Sequence, residues 1–169
     1  FNVEEPRIPL LLSKQRNLFK LFSNDVGLLA AMYGGNIQTQ LLGKDANINF
    51  GSVYENLVAQ ELYAHGLALG HSLYYYNNKK QGELDFVIEY DNHVLPIEVK
   101  SGKDYDRHNA LSNVMGNQEY GIPFAYVFCQ ENVHIKGNIT YLPIYLITFL
   151  EQTQVDESIF RFDLRGLDT

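Results

Sequence analysis

Hydrophobic and polar residues repeat along this chain with two periods, one typical of helices and one typical of strands. From Ser52 to His65 the apolar positions recur at helical spacing, and Gly66 ends the pattern. Ser52 and Glu55 lie three positions apart, as in the capping box of a helix start. The segment therefore predicts a helix that has Ser52 as its amino-terminal cap.

Short apolar segments bounded by turn residues predict the strands of a sheet. Two of them, 84–89 and 94–99, flank the turn residues Asp91 and Asn92. Further strands are predicted at 73–76, 124–129 and 139–142, with an additional one at 18–22, and further helices at 26–33, 107–119 and 143–150. This order predicts an α/β fold with a mixed sheet of four to five strands flanked by helices.

The length of 169 residues fits one domain, and 46% hydrophobic content supplies a sizeable core. We expect the core at 52–150, an amino-terminal extension at 1–51 that packs on it, and a carboxy-terminal tail at 151–169. The chain opens with Phe1 and acidic residues, which argues against a signal peptide and is typical of a piece of a longer protein.

Charge and cysteine content narrow the classes of function. A net charge of −7 opposes strong autonomous binding to nucleic acid, which depends on lysine and arginine. The single cysteine, Cys129, lies in an apolar segment and predicts a buried thiol in a reducing compartment, which we expect to be the cytoplasm. We expect no membrane span, because no segment approaches the ~20 apolar residues that a membrane helix needs.

The candidate chemistry lies in the two strands around Asp91 and Asn92. If these two residues form a two-residue loop, Asp85 lies directly across from Glu98, and their Cβ atoms are ~4.5–5.5 Å apart. Two carboxylates so placed repel each other unless a cation lies between them. The pattern therefore predicts a site for a divalent cation, Mg²⁺ or Mn²⁺.

Two further residues extend this prediction. Lys100 shares a strand face with Glu98 and would lie beside the metal, where it could orient water or stabilise charge on a phosphate. Glu55 lies on the same face of its helix as Val58, Ala59 and Leu62, and could reach the same metal, directly or through water. We therefore predict Asp85, Glu98 and Lys100 as catalytic residues, and Glu55, Asp85 and Glu98 as metal ligands.

The ordered set of motifs resembles the PD-(D/E)xK nuclease superfamily. It consists of Glu55 in a helix, the segment 82–88 (GELDFVI) and the segment 97–102 (IEVKSG). The sequence is most similar to a domain of unknown function at the carboxyl end of many prokaryotic AAA-type ATPases, to which the segments 20–28, 51–62 and 142–144 also correspond. In one departure from the superfamily pattern, Leu84 precedes Asp85 where a proline is expected.

The resemblance implies a restriction-endonuclease-like core in which Glu55, Asp85 and Glu98 bind metal and Lys100 is the catalytic lysine. It also implies an amino-terminal ATPase module in the full-length protein as a partner. The 169 residues contain no P-loop motif, so we expect that this piece does not hydrolyse ATP.

Simpler interpretations of the same residues stay open. Asp85 and Glu98 are also compatible with solvated strand ends, and Glu98 with Lys100 is compatible with a surface ion pair worth ~0–1 kcal/mol. Glu55 is equally compatible with a purely structural capping role. Lys103 and Arg107 suit either a weak nucleic-acid contact or a solvated helix start.

Three functions follow as hypotheses. The first is a metal-dependent phosphodiesterase that acts on DNA or RNA. The second is a catalytically silent module that binds protein or nucleic acid and regulates the attached ATPase. The third is a dimerisation domain that uses the apolar residues of 144–150.

Overall fold

The computed structural model describes residues 1–33, 50–68, 70 and 72–152, and its central feature is an eight-stranded mixed sheet. The strands are β1 (Asn2–Val3), β2 (Lys14–Gln15), β3 (Tyr74–Asn78), β4 (Gly82–Tyr90), β5 (His93–Val99), β6 (Ala125–Cys129), β7 (His134–Lys136) and β8 (Ile139–Pro143). Their order across the sheet is β2-β1-β3-β4-β5-β6-β8-β7. The pairs β1–β3, β5–β6 and β6–β8 are parallel, and the other neighbours are antiparallel.

The predicted α/β class is confirmed, but the predicted number of four to five strands is wrong. β1, β2 and β7 have only two or three residues each, too few for a period-two pattern to appear in the sequence. The strand predicted at 18–22 is also wrong, because these residues lie in irregular structure between β2 and the first helix. Of its apolar side chains, Phe22 packs on the core, with its ring 5.5 Å from that of Phe86 between centroids, whereas Leu18, Phe19 and Leu21 are exposed.

In the part of the chain that the structure describes, three α-helices accompany the sheet: α1 (Val26–Met32), α2 (Gly51–Ala64) and α3 (Asn109–Gly116). The helix expected at 26–33 is confirmed, and the Asp25 carboxylate caps it by accepting a hydrogen bond from the Leu28 N–H at 2.8 Å. Short 3₁₀ helices lie at Leu10–Ser13, Gln118–Tyr120 and Ile144–Phe149. The last of these replaces the α-helix predicted at 143–150, and α3 is shorter than the predicted 107–119.

The predicted helix at Ser52 is present as α2, but its start is different. α2 begins at Gly51 with Phe50 as its cap residue, so Ser52 lies inside the first turn and the capping box is wrong. The end follows the expectation, because Gly66 has a positive φ of 71° and the Leu67 N–H reaches back to the Leu62 carbonyl at 2.9 Å. This is the Schellman arrangement for which glycine is preferred.

The sheet separates two apolar layers. α2 covers one face, where Val58 and Leu62 pack with Phe86 and Ile97. α3 covers the other face, and there Leu111 and Val114 pack with a second set of buried residues, among them Val87, Val127, Cys129 and Tyr141. The predicted buried thiol of Cys129 is confirmed.

The amino-terminal segment contributes strands to the sheet, whereas most of the carboxy-terminal segment lies outside the described residues. The 1–51 segment contributes β1 and β2 to the sheet, and Glu89 of β4 accepts a hydrogen bond from the Leu10 N–H at 2.7 Å. From residue 153 onward the predicted tail lies outside the described residues. Among the helices that are described, none has the length and apolar character needed to cross a bilayer.

The turn between β4 and β5 sets the register of the central hairpin. Asp91 and Asn92 have positive φ angles of 48° and 63°, as a two-residue type I′ turn requires. The paired residues run from Tyr90 opposite His93 to Phe86 opposite Ile97. The predicted two-residue loop and its register are therefore confirmed over this length.

Substitutions at Asn92 should report on this turn. Asn92→Gly removes the steric cost of a left-handed residue and should raise the free energy of unfolding, whereas Asn92→Ala should lower it by about 1 kcal/mol. Urea unfolding of both variants measures the difference. An alanine variant as stable as the glycine variant would contradict the type I′ geometry.

Candidate functional site

Asp85 occupies the point where the regular β4–β5 ladder ends. The pairing of β4 with β3 is irregular here, because the register shifts between Tyr74 and Tyr76. The Asp85 carboxylate accepts a hydrogen bond from the Val99 N–H at 2.8 Å, in place of a main-chain carbonyl of the neighbouring strand. The side chain is therefore held at the opening between β4 and β5.

Opposing effects act on the pKa of Asp85. Burial raises the pKa of this carboxyl above its ordinary value, while the Val99 N–H and the positive charges of Lys20 and Lys100 oppose the rise. Both lysines thus act on the same carboxylate.

Glu98 is the most deeply buried acid of the site, with only 7% of its side chain exposed. Its Oε1 accepts a hydrogen bond from Lys100 Nζ at 2.7 Å. Its Oε2 is buried and has no hydrogen-bond partner within the described part of the chain. A buried carboxylate oxygen without a partner costs free energy, so this atom indicates a missing ligand or water.

Burial raises the pKa of Glu98 to about 7, and the negative charge of Asp85 adds to the rise, against the opposing effect of Lys100. The charge of Asp85 therefore acts on the Glu98 carboxyl. The β4–β5 ladder ends at Phe86 opposite Ile97, so Asp85 and Glu98 are not a ladder pair, and their shared cation site stays a prediction.

Strand alternation places Glu98 and Lys100 on one face of the sheet. Ile97 and Val99 belong to the layer under α2, as expected for the alternate positions of β5. Glu98 is in register with Val127, which belongs to the layer under α3. The Lys100 N–H continues the strand by bonding to the Phe128 carbonyl at 2.8 Å.

Glu55 approaches Asp85 from α2, the helix on the opposite face. Burial and the charge of Asp85 raise the pKa of Glu55, and the charge of Lys20 opposes them. Lys20 Nζ lies 3.7 Å from Glu55 Oε2 and 2.6 Å from Glu83 Oε1. The Lys20 ammonium therefore lies between Glu55 of α2 and Glu83 of β4.

Lys20 and Glu83 are functional candidates that the sequence did not single out. Desolvation lowers the pKa of Lys20, but its hydrogen bond to Glu83 and the charges of Glu55, Glu83 and Asp85 outweigh it, so the pKa is raised. The Lys20 ammonium also lies 5.0 Å from the centroid of the Tyr75 ring. Lys20 opens the segment 20–28 that resembles the ATPase-associated domain, and that position was the available signal.

The remaining predicted residues lie apart from this arrangement. Lys103 and Arg107 are exposed in the loop between β5 and α3. The Arg107 N–H bonds to the Asp104 carbonyl at 3.2 Å, which holds the loop locally. Their role as nucleic-acid contacts stays a prediction.

The arrangement has room for a ligand but lacks a complete set of metal ligands. Within residues 1–33, 50–68, 70 and 72–152, no group of three or more His, Cys, Asp or Glu side chains is placed to hold one ion. A cavity of about 530 Å³ opens beside Asp85, which lines it together with Lys20, Phe22 and Tyr75, whereas Glu55 and Glu98 are not among its lining residues. The metal-site prediction therefore stays a prediction.

Comparison with known proteins identifies the family. The model of the family described as "Domain of unknown function (DUF4143)" matches residues 50–147, which contain α2, the β4–β5 hairpin and all of Glu55, Asp85, Glu98 and Lys100. The chain belongs to this family. No curated protein and no solved structure matches it.

The raised pKa of Glu98 predicts how stability depends on pH. Because the folded protein binds this proton more tightly than the unfolded chain does, stability is fully present below pH 4.5 and falls as the pH rises towards 7. Glu98→Gln should remove a loss on the order of 2 kcal/mol over this range. Urea unfolding at pH 5 and pH 8 measures it, with Glu119→Gln at an exposed acid as the control. Equal pH dependence in the wild type and Glu98→Gln would contradict the burial of a charged Glu98.

Proposed function

We propose that this domain is a metal-dependent phosphodiesterase that acts on DNA or RNA. The observation that carries the proposal is the buried Oε2 of Glu98, which has no hydrogen-bond partner among the described residues, in a carboxylate that feels the charge of Asp85 and pairs with Lys100 through its other oxygen. If position 98 served only the hydrophobic core, we would expect an apolar side chain there, because an unpaired buried carboxylate oxygen lowers the stability of the fold.

The donor set fits a hard divalent cation. Asp85 and Glu98 supply carboxylate oxygens, which are the ligands that Mg²⁺ and Mn²⁺ prefer, and waters would complete the coordination. When bound, such an ion polarises a phosphate and makes an attacking water more acidic. Glu98 Oε2 would then gain the partner that it lacks.

The other residues act around this pair. Lys100, held against Glu98 Oε1 at 2.7 Å, is within reach of a phosphate oxygen near Glu98 and can stabilise the charge that develops on it. Asp85 is fixed by the Val99 N–H, so its second oxygen keeps a defined position. Glu55 contributes through water from the side of α2, and Lys103 and Arg107 supply weak contacts to the nucleic-acid backbone.

The likeness of the ordered motifs to PD-(D/E)xK nucleases supports the same proposal, since Glu55, Asp85, Glu98 and Lys100 correspond to that pattern in order. We infer further that the domain has a restriction-endonuclease-like core and belongs to the carboxyl end of an AAA-type ATPase. With a net charge of −7, the domain would depend on such a partner module for much of its affinity for nucleic acid.

A second candidate is the catalytically silent module, which binds protein or nucleic acid and regulates the same ATPase. Two observations favour it. Lys20 already neutralises part of the acid charge, and in the described residues fewer than three candidate ligands converge on one point. The distinction between the two candidates is therefore whether the acids bind a metal.

Cleavage of nucleic acid tests the first candidate. Single- and double-stranded DNA and RNA should be cut in the presence of Mg²⁺ or Mn²⁺, and Asp85→Ala and Lys100→Ala should each reduce the rate by about a hundredfold or more. Asp85→Asn keeps an acceptor for the Val99 N–H and separates loss of charge from loss of fold. Asp104→Asn, at an exposed acid, should cleave like the wild type. Undiminished cleavage in Asp85→Ala and Lys100→Ala would rule out the assignment.

Metal titration separates the two candidates without a substrate. Isothermal titration with Mn²⁺ should give heat of binding in the wild type, and Asp85→Asn and Glu98→Gln should weaken it by about tenfold or more, because each removes a charged ligand. Absence of binding at millimolar Mn²⁺ would favour the silent module.

A further inference from the structure

Two aromatic rings stack at one edge of the sheet, on β7 and β8. The imidazole of His134 lies parallel to the Tyr141 ring, with 4.4 Å between centroids and 4° between planes. Tyr141 is fully buried, and its hydroxyl pairs with His108 Nε2 at 2.6 Å. His134 Nδ1 donates a hydrogen bond to the Asn132 carbonyl at 2.9 Å. Both rings are therefore held in defined orientations.

Among the described residues, none of the recorded ring contacts covers the outer face of His134. His134 is exposed although Tyr141 covers one of its faces. The Tyr105 ring lies 5.9 Å from the centroid of His134 and 5.8 Å from that of Tyr141, at angles of 74° and 77° to them. A ring equally distant from two stacked rings lies beside the stack and not on top of it. The outer face of His134 is thus a flat, oriented surface on which one more planar group can stack.

The stack belongs to the sheet face that carries Glu98 and Lys100. Glu98 is in register with Val127 of β6, and Val127 with Tyr141 of β8. Tyr141 is in turn in register with His134 of β7, and residues in register share a face. Three strand spacings of ~4.8 Å place the backbone of His134 ~14 Å from that of Glu98. A stacked nucleic-acid strand, which rises ~3.4 Å per nucleotide, covers that distance in about four nucleotides.

The charges around the stack favour recognition of a base over recognition of a phosphate. Residues 101–108 and 130–136 contain Tyr105, His108 and His134. With the histidines neutral, their three positive charges equal their three negative charges: Lys103, Arg107 and Lys136 against Asp104, Asp106 and Glu131. A phosphate backbone binds where lysine and arginine are in excess. Nucleobases stack on histidine and tyrosine rings without requiring such an excess.

We propose that His134, backed by Tyr141, is a stacking platform for an unpaired nucleobase of single-stranded DNA or RNA. The inference rests on the proposed phosphodiesterase function and names its substrate class, a strand with unpaired bases. One base lies on the His134 ring, and the strand runs across the sheet towards Glu98 and Lys100. Bases inside a duplex are already stacked on their neighbours, so the platform selects single strands, loops and ends.

Binding without metal tests the platform separately from cleavage. Fluorescence anisotropy in EDTA measures the affinity for labelled oligothymidylate and oligouridylate of about eight nucleotides. We expect His134→Ala to weaken binding of the oligonucleotide about tenfold, because one stacked base is lost. His134→Phe keeps a flat ring and should bind within about twofold of the wild type. Equal loss of affinity in the two variants would overturn the stacking role.

Two controls isolate the base and the position. An abasic oligonucleotide of the same length keeps the phosphates, so the wild type and His134→Ala should bind it alike. His93→Ala removes another exposed histidine, at the start of β5, and should bind oligothymidylate like the wild type. The melting temperature of each variant checks that the fold is retained. A His134→Ala loss that persists with the abasic strand, or an equal loss in His93→Ala, would contradict the proposal.

The outcomes separate this inference from the proposed function. If the wild type cleaves nucleic acid, but His134→Ala binds both oligonucleotides as the wild type does, the platform is wrong and the phosphodiesterase stands. If an oligonucleotide binds through His134 and is not cut with Mg²⁺ or Mn²⁺, the platform stands and the domain is the silent module. Dependence on His134 with one oligonucleotide supports the platform and assigns DNA or RNA as its partner. If the wild type binds neither at about 100 µM, the platform is wrong, and cleavage alone decides the function.

Discussion

Two largely buried carboxyls, Asp85 and Glu98, constrain the structure around the β4–β5 hairpin, because burial opposes the ionisation of each. Burial raises the pKa of both carboxyls, and the negative charge of Asp85 raises that of Glu98 further. Three interactions offset part of it: the Val99 N–H at Asp85, the Lys100 ammonium at Glu98, and the charge of Lys20. None of the three reaches Glu98 Oε2, which is buried and has no hydrogen-bond partner in the part of the chain that the structure describes.

Lys100 and Lys20 lie on opposite faces of the sheet and contact different acids. Lys100 follows Glu98 along β5 and is fixed by strand geometry on the side of α3. Lys20 comes from irregular chain before α1 and meets Glu55 of α2 on the other side. Asp85, at the opening between the strands, responds to both. Lys100 is therefore placed to act on Glu98, and Lys20 on Glu55 and Glu83.

The sequence predicted the hairpin and its register because the information is local. Alternation in β5 and the turn residues Asp91 and Asn92 are enough to place Phe86 opposite Ile97. The sequence could not predict the irregular pairing of β3 with β4, because it depends on how a third strand aligns with the hairpin. Lys20 was missed for a related reason: its contacts with Glu55 and Glu83 span 35 and 63 positions along the chain, and no periodicity links residues so far apart. The eight-stranded sheet was underestimated because its extra strands are too short to show a pattern.

The outermost strands of the sheet, β2 and β7, contain two and three residues. A long, flat outer strand offers a row of free main-chain groups to which another polypeptide can add, and brevity removes most of that row. This domain therefore gives little opportunity for aggregation by strand addition. Contacts with other molecules then fall to side chains at the faces and loops, such as the exposed Lys103 and Arg107.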